Sequence, residues 1–123
     1  MRDLSALTGS RGYSSWAWML QAASGIVLVV LVTLHMAAQH FSGQQGILGY
    51  GEVIAYLRNP VAFLVETVFA GAVIFHALAG VRAILIDLGV SGDGERRLSL
   101  GLTVLGGAMF LYSLVLTLVV VTR

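Results

Sequence analysis

Three long apolar stretches dominate the pattern of hydrophobic and polar positions, and short polar segments separate them. The stretches run from about residue 16 to 40, from 60 to 88 and from 98 to 121. A helix rises about 1.5 Å per residue, so about 20 residues cross ~30 Å of hydrocarbon. The pattern therefore predicts an all-α membrane protein with three transmembrane helices.

The second stretch carries its own start and stop signals. Asn59 is a favoured N-cap residue, Pro60 suits the first helical position, and Gly89 suits the left-handed position after a helix end. Before it, the apolar spacing in YGEVIAYLR predicts a short interfacial helix at about residues 50 to 58. After it, we expect VSGDGERRLS to form a tight polar turn that leads into the third span.

Composition supports this class of protein and excludes others. The chain has 123 residues, of which 58% are apolar and 11% charged, which is too apolar for a soluble core of this size. A net charge of +1 with no basic run excludes an electrostatic nucleic-acid binder. The absence of cysteine excludes thiolate metal sites and iron–sulfur ligation from this chain, so a redox metal would be bound by histidine.

The positions of the arginines indicate the orientation, since the sequence contains no lysine. With the N-terminus inside, the cytoplasmic arginines are Arg2, Arg11, Arg96 and Arg97, and the outer ones are Arg58 and Arg123. We therefore expect residues 1–15 to form a cytoplasmic arm rather than a signal peptide. Residues 16–123 would form a three-helix bundle in the cytoplasmic membrane, and residues 1–123 would be one domain. Its polar inner faces require cover from another subunit.

Several ionisable residues lie at fixed offsets in the second span. At about 100° per residue, His76, Gly80 and Asp87 fall within roughly 40° of one another on the helix surface. Gly80 leaves room for a flat ligand beside the imidazole. Arg82 is long enough to reach a carboxylate near the imidazole, and a haem propionate would serve. His76 is either a neutral histidine bonded to a facing helix or a cofactor ligand, and its depth in the bilayer favours the ligand.

The spacing H-x-x-x-G-x-R-x-x-x-x-D, formed by His76, Gly80, Arg82 and Asp87, resembles the haem-ligand helix of a known family. This family comprises the cytochrome b membrane anchors of succinate dehydrogenase and fumarate reductase, the respiratory complex II. The first span, which opens W-A-W-x-x-Q-x-x-S-G and carries a later histidine, extends the resemblance over nearly the whole chain. By this resemblance, His76 is an axial ligand of haem b, and the other ligand comes from a partner anchor.

The resemblance also implies a set of partners and a role in electron transport. Family members pair with a second three-helix anchor and dock beneath an iron–sulfur subunit that receives electrons from a flavoprotein subunit. The chain would then be a non-catalytic subunit of an enzyme complex that oxidises succinate, in the tricarboxylic acid cycle, or reduces fumarate, with quinone as the other substrate. It would help to form the quinone site.

The first span departs from the family at the positions that usually face haem propionate and quinone. Many anchors have an arginine two residues before the Ser-Gly pair, a histidine before that arginine and a serine four residues before it. This sequence has Ala22, Gln21 and Trp18 at those positions. We therefore expect the chain to contribute less to the quinone pocket than its partner does. The remaining candidate quinone contacts are Trp18, Ser24 and Asp87.

His35 is a candidate ligand for a second haem. It lies near the outer end of the first span, ~10 Å or more from His76 along the bilayer normal, so the two cannot bind one iron. Otherwise His35 forms a hydrogen bond between helices or reaches toward the outer interface, and only the His76 haem is present. Two rival functions stay open at this point: a haem-free structural anchor, and a transporter subunit with Glu66 and His76 as a proton relay. The relay is disfavoured, because these residues lie about 15 Å apart along the helix axis.

Overall fold

The computed structural model describes residues 15–41, 46 and 48–123, and these form four helices. They are α1 (Ser15–Phe41), α2 (Tyr50–Leu57), α3 (Pro60–Asp87) and α4 (Asp93–Thr122). Helices α1, α3 and α4 are long and apolar enough to cross a membrane. The three predicted spanning helices and the short helix before the second of them are confirmed, and the interfacial position of that short helix stays a prediction. The predicted cytoplasmic arm lies, up to residue 14, outside the described residues, and the orientation across the membrane stays a prediction.

Both ends of α3 form as their capping residues predict. The Asn59 side-chain oxygen accepts hydrogen bonds from the backbone N–H groups of Val61 at 2.9 Å and Ala62 at 3.3 Å. Pro60 occupies the first turn, where a missing N–H costs nothing. At the other end, Gly89 has a φ of 105°, a left-handed conformation that favours glycine. These local signals fix where the central span begins and ends.

Helix α4 begins earlier than predicted. The sequence suggested a polar turn throughout VSGDGERRLS and a span from about residue 98, whereas α4 starts at Asp93. Gly92, with a φ of 62°, makes the turn, and both Asp93 and Glu95 lie in the first helical turn. Acidic residues there are stabilised by the positive end of the helix dipole, which explains the extension. The prediction of a turn over the whole segment was therefore wrong at its second half.

Helix α3 is the central member of an open layer. It packs against α1 on one side and α4 on the other, and among the described residues no Cα of α1 lies within 8 Å of one in α4. Polar pairs show that α1 and α3 are antiparallel, since Ser24 contacts His76 and the later His35 contacts the earlier Glu66. None of the described side chains is fully enclosed by this chain. This chain alone therefore does not cover the inner faces of α1 and α3.

Small residues let α3 and α4 approach closely. A Cβ atom at Gly106 would lie 2.8 Å from Leu78 Cδ1, and one at Gly71 would lie 3.2 Å from a ring carbon of Phe110. Close packing of α4 against α3 is thus centred on Gly106. It does not extend to Gly101, where an added Cβ would meet nothing within 4 Å.

Candidate functional site

The imidazole of His76 is held from α1 by the hydroxyl of Ser24. Ser24 Oγ lies 2.9 Å from His76 Nδ1 and 2.8 Å from the backbone oxygen of Gln21. The hydroxyl has a single proton, and the Gln21 carbonyl can only accept, so the hydroxyl donates to it and accepts from Nδ1–H. In a neutral imidazole with this bond, His76 Nε2 has the lone pair, which is the form of histidine that binds a metal.

Two glycines and an amide bring α1 close around this histidine. A Cβ atom at Gly25 would lie 3.2 Å from His76 Cε1, so the ring contacts the α1 backbone. The Gln21 side chain donates from Nε2 to the His76 backbone oxygen at 3.2 Å, and a Cβ at Gly80 would lie 3.3 Å from the same nitrogen. The space beside Gly80 is thus covered by the Gln21 amide. Packing of a haem against Gly80 stays a prediction.

The other atom of that amide has no partner. Gln21 Oε1 is buried, and among the described side chains it is the one buried nitrogen or oxygen atom that lacks a hydrogen bond. Turning the amide over would place this oxygen against the His76 carbonyl oxygen, so the orientation is fixed by the contact to α3. An unmet buried acceptor costs about 1–3 kcal/mol. The amide is therefore held in place for its bond to His76 at some cost.

The donor set around His76 suits a haem iron better than a bare metal ion. In the described part of the chain, no group of three or more histidine, aspartate or glutamate side chains could hold an ion. A haem needs less from one chain, because the porphyrin supplies the equatorial nitrogens and each axial position takes one side chain. A single imidazole with Nε2 available meets that requirement. The residues present therefore fit the group.

A second polar cluster lies at the other end of the α1–α3 interface. His35 Nδ1 lies 2.8 Å and 3.0 Å from the two carboxylate oxygens of Glu66, and the Tyr56 hydroxyl donates to Glu66 Oε1 at 3.1 Å. The ring of Phe69 stacks at a tilt on His35, with the centroids 5.0 Å apart. His35, Glu66 and Phe69 line a groove of about 500 Å³. Burial first, and then the hydrogen bond and charge of Glu66, raise the pKa of Tyr56 above its usual value.

The pairing of Glu66 bears on two of the predictions. Glu66 bonds His35 and Tyr56 rather than His76, so the direct Glu66–His76 relay is absent from the described residues. A carboxylate on Nδ1 is also the partner that commonly orients a metal-bound histidine. This contact therefore suits either expectation for His35, as a helix-to-helix bond or as a second haem ligand.

Of the candidate cofactor contacts other than Ser24, Arg82 bonds α4, and Trp18 and Asp87 are exposed. Arg82 donates from Nη2 to Glu95 Oε1 at 2.7 Å and from Nε to Ser99 Oγ at 2.8 Å, so its guanidinium lies against α4. Trp18 is 65% exposed, and Asp87 is exposed at the last residue of α3. The propionate role of Arg82 and the quinone roles of these residues stay predictions.

Sequence reasoning missed the partners rather than the principal residues. It singled out His76, His35, Ser24 and Glu66 but did not pair them. Because the first two spans are antiparallel, each residue further along α1 lies beside one correspondingly earlier on α3, so either pair predicts the other once one of them is known. It also missed Glu95 beside Arg82, because Glu95 was placed in a turn.

The long apolar helices and the half-buried His35 and His76 define a multi-pass, all-α membrane protein whose spanning helices carry polar side chains on their facing surfaces. The sequence profile of the succinate dehydrogenase/fumarate reductase transmembrane subunit family matches residues 4–120, and the chain belongs to that family. The predicted family is therefore confirmed.

Several relatives carry names that agree with this family. The chain is 34% identical over 103 residues to succinate dehydrogenase 2 membrane subunit SdhC of Mycobacterium tuberculosis, which covers 81% of this chain and 71% of that protein. It is 24% identical over 115 residues to the succinate dehydrogenase hydrophobic membrane anchor subunit of Thermoplasma acidophilum, covering 94% of each. The anchor subunit of Archaeoglobus fulgidus is 35% identical over 71 residues, 58% of this chain and 60% of that relative, which is less than two thirds of its length. No solved structure matches the chain significantly.

Proposed function

We propose that the chain is a haem b-binding membrane anchor of a succinate:quinone oxidoreductase, and that His76 is an axial ligand of the haem iron. The observation that carries the proposal is the Ser24–His76 hydrogen bond of 2.9 Å, which occupies Nδ1 and leaves Nε2 as the ligand atom. When bound, the haem takes up and passes on single electrons. The names of the relatives support the succinate dehydrogenase assignment.

The proposed partners follow from the family and from the open layer. A second three-helix anchor would cover the layer and supply the other axial ligand, and the iron–sulfur and flavoprotein subunits would dock on the cytoplasmic side of the cytoplasmic membrane. Every described side chain is at least partly exposed in the isolated chain, as expected of one half of a larger bundle. We assign most of the quinone site to the partner, because Ser24 is already bonded to His76 and Gln21.

Within this proposal, Arg82 stabilises the haem propionates. The guanidinium lies against Glu95 and Ser99, and its several N–H donors allow it to serve two carboxylates at once. Its side chain is 28% exposed, so a propionate can approach. The α1 and α3 helices, meanwhile, hold the imidazole through its bond to Ser24.

The spectrum of the purified complex tests the haem. We expect His76→Leu to abolish or strongly perturb a b-type haem band in the reduced-minus-oxidised difference spectrum, because α3 offers no other imidazole. His40→Leu is the matched control, since His40 is exposed at the end of α1 and should leave the band unchanged. An unchanged haem spectrum in His76→Leu would remove the assignment.

The haem content per flavin tests the second haem. The Glu66 carboxylate on His35 Nδ1 supports a ligand role for His35 as well. Two haems per flavin, falling to one in His35→Leu, would support a haem at each end of the α1–α3 interface. One haem per flavin in both proteins would leave His35 as a bond between helices.

The haem-free structural anchor is the second candidate. One observation favours it: inside the chain, Ser24 is a hydrogen-bond partner of His76 and Glu66 is one of His35, as a purely structural role requires. A purified wild-type complex that contains flavin but shows no b-type bands would establish this alternative.

A further inference from the structure

We infer that Ser24 is a positioning residue for His76: its hydroxyl accepts the Nδ1 proton, fixes the imidazole tautomer and tunes how strongly Nε2 donates electrons to a haem iron. This inference rests on the proposed function, since it concerns the same imidazole. It gives Ser24 a different role from the quinone contact that the sequence suggested.

A closed circuit of hydrogen bonds supports the inference. His76 Nδ1–H donates to Ser24 Oγ at 2.9 Å, and Ser24 donates to the Gln21 backbone oxygen at 2.8 Å. The Gln21 amide then donates back to the His76 backbone oxygen at 3.2 Å. The ring and the backbone of His76 are thus both tied to one turn of α1, which restricts rotation of the imidazole.

The direction of the Ser24 proton determines the electronic effect. A hydroxyl that donates its own proton becomes a better acceptor, because the bonds in a chain polarise one another. A better acceptor on Nδ1–H places more electron density on Nε2 and favours the ferric over the ferrous state. Removing the acceptor should therefore raise the reduction potential of the haem and weaken its binding.

The neighbouring residue limits how the site can compensate. A Cβ at Gly25 would already lie 3.2 Å from His76 Cε1, so the ring rests against the α1 backbone and has little room to tilt on that side. Among the described residues, no other side chain bonds Nδ1. Loss of the hydroxyl leaves an unmet donor or forces a change of tautomer, which would take the lone pair from Nε2.

Three substitutions at Ser24, measured in the assembled complex, test the inference. Threonine keeps the hydroxyl, cysteine offers a weaker acceptor, and alanine offers none. We expect the haem potential to rise in the order Thr, Cys, Ala, with about 10- to 100-fold weaker haem retention in Ser24→Ala. The electron paramagnetic resonance signal of the ferric haem should shift in the same order. If Ser24→Ala does not assemble, the comparison of Ser24→Thr with Ser24→Cys decides.

A control on another helix separates this effect from a structural one. Ser113 makes the same type of bond to the carbonyl three residues before it, Phe110 at 2.8 Å, with no imidazole attached. Ser113→Ala should leave the potential and the signal unchanged. A potential that does not follow the Ser24 series, or that moves equally in Ser113→Ala, would overturn the inference. A changed quinone KM with an unchanged potential and signal would also overturn it and return Ser24 to the quinone site.

The same measurements distinguish this inference from the proposed function. If the wild-type complex shows no b-type haem, the proposed function fails. If the wild-type complex shows the haem, His76→Leu loses it and the Ser24 series leaves the potential unchanged, only the role of Ser24 fails.

Discussion

A methyl group added at Gly25 should push the imidazole of His76 out of place. The Cβ of Gly25→Ala would lie 3.2 Å from His76 Cε1. Carbon atoms pack at about 3.5–4.0 Å, so the two groups must separate by about 0.3–0.8 Å. The Ser24–His76 bond of 2.9 Å on the adjacent residue opposes that movement, because lengthening it weakens it.

The net effect on stability is the difference between two terms. Forcing extra volume into a packed site costs about 1–3 kcal/mol. Alanine is a better helix former than glycine by about 1 kcal/mol, which offsets part of this cost. We therefore expect Gly25→Ala to destabilise the packing of α1 on α3 by about 0–2 kcal/mol, and the branched side chain of Gly25→Val to cost more than about 2 kcal/mol.

In the assay, the detergent-solubilised complex is heated and the dissociation of this subunit is monitored by native electrophoresis and by the haem difference spectrum. Gly101→Ala is the control, because an added Cβ there meets nothing within 4 Å and only the helix-forming gain remains. We expect the dissociation temperature to fall from Gly101→Ala to Gly25→Ala to Gly25→Val. A Gly25→Val complex as stable as the control, with an unchanged haem spectrum, would refute the close approach of α1 to the imidazole.

Two further predictions concern the ends of the α3 helix. Arg82→Leu should lower the haem potential in a redox titration, since it removes a cation that disfavours the ferric state, whereas Glu95→Gln should not lower it. Equal potential shifts in Arg82→Leu and Glu95→Gln would exclude the propionate role. Because these side chains are 28% and 36% exposed, loss of their ion pair should cost no more than about 1 kcal/mol of stability. Tyr56→Phe should cost about 0.5–1.5 kcal/mol at neutral pH, because it removes one bond to Glu66. The folded-state pKa of Tyr56 is raised, so the wild-type contribution is complete below the usual tyrosine pKa of 10.0 and is lost as pH rises through the raised value. The thermal midpoints of the wild type and Tyr56→Phe should therefore differ at neutral pH and converge at alkaline pH.

The helices were predictable because each is specified by signals within a few residues of its ends. Asn59, Pro60 and Gly89 bound the central span in the structure as they do in the sequence. The predicted start of α4 was wrong because Gly92 and Gly94 are residues that favour a turn. The acidic residues beside them, which favour a helix start, were counted only as polar.

The site was only partly predictable, because periodicity within one helix does not contain the alignment between helices. Ser24 and His35 are eleven residues apart, which places them about 20° apart around a helix, and both contact α3. The periodicity could not show that Ser24 meets His76 or that His35 meets Glu66, since these contacts depend on how far one helix is shifted along the other. Gln21 was noted as a departure from the family, but nothing in the sequence indicated that its amide reaches the backbone of α3.

The arrangement of the spans also has a consequence for how the protein is made. Three polar side chains of α1, those of Gln21, Ser24 and His35, find partners on α3, and among the described residues none finds one on α4. A ribosome completes α1 before α3 exists, so these groups meet lipid without their partners until the central helix has entered the bilayer. The polar side chains of the first span therefore gain these partners only after the central span has packed against it.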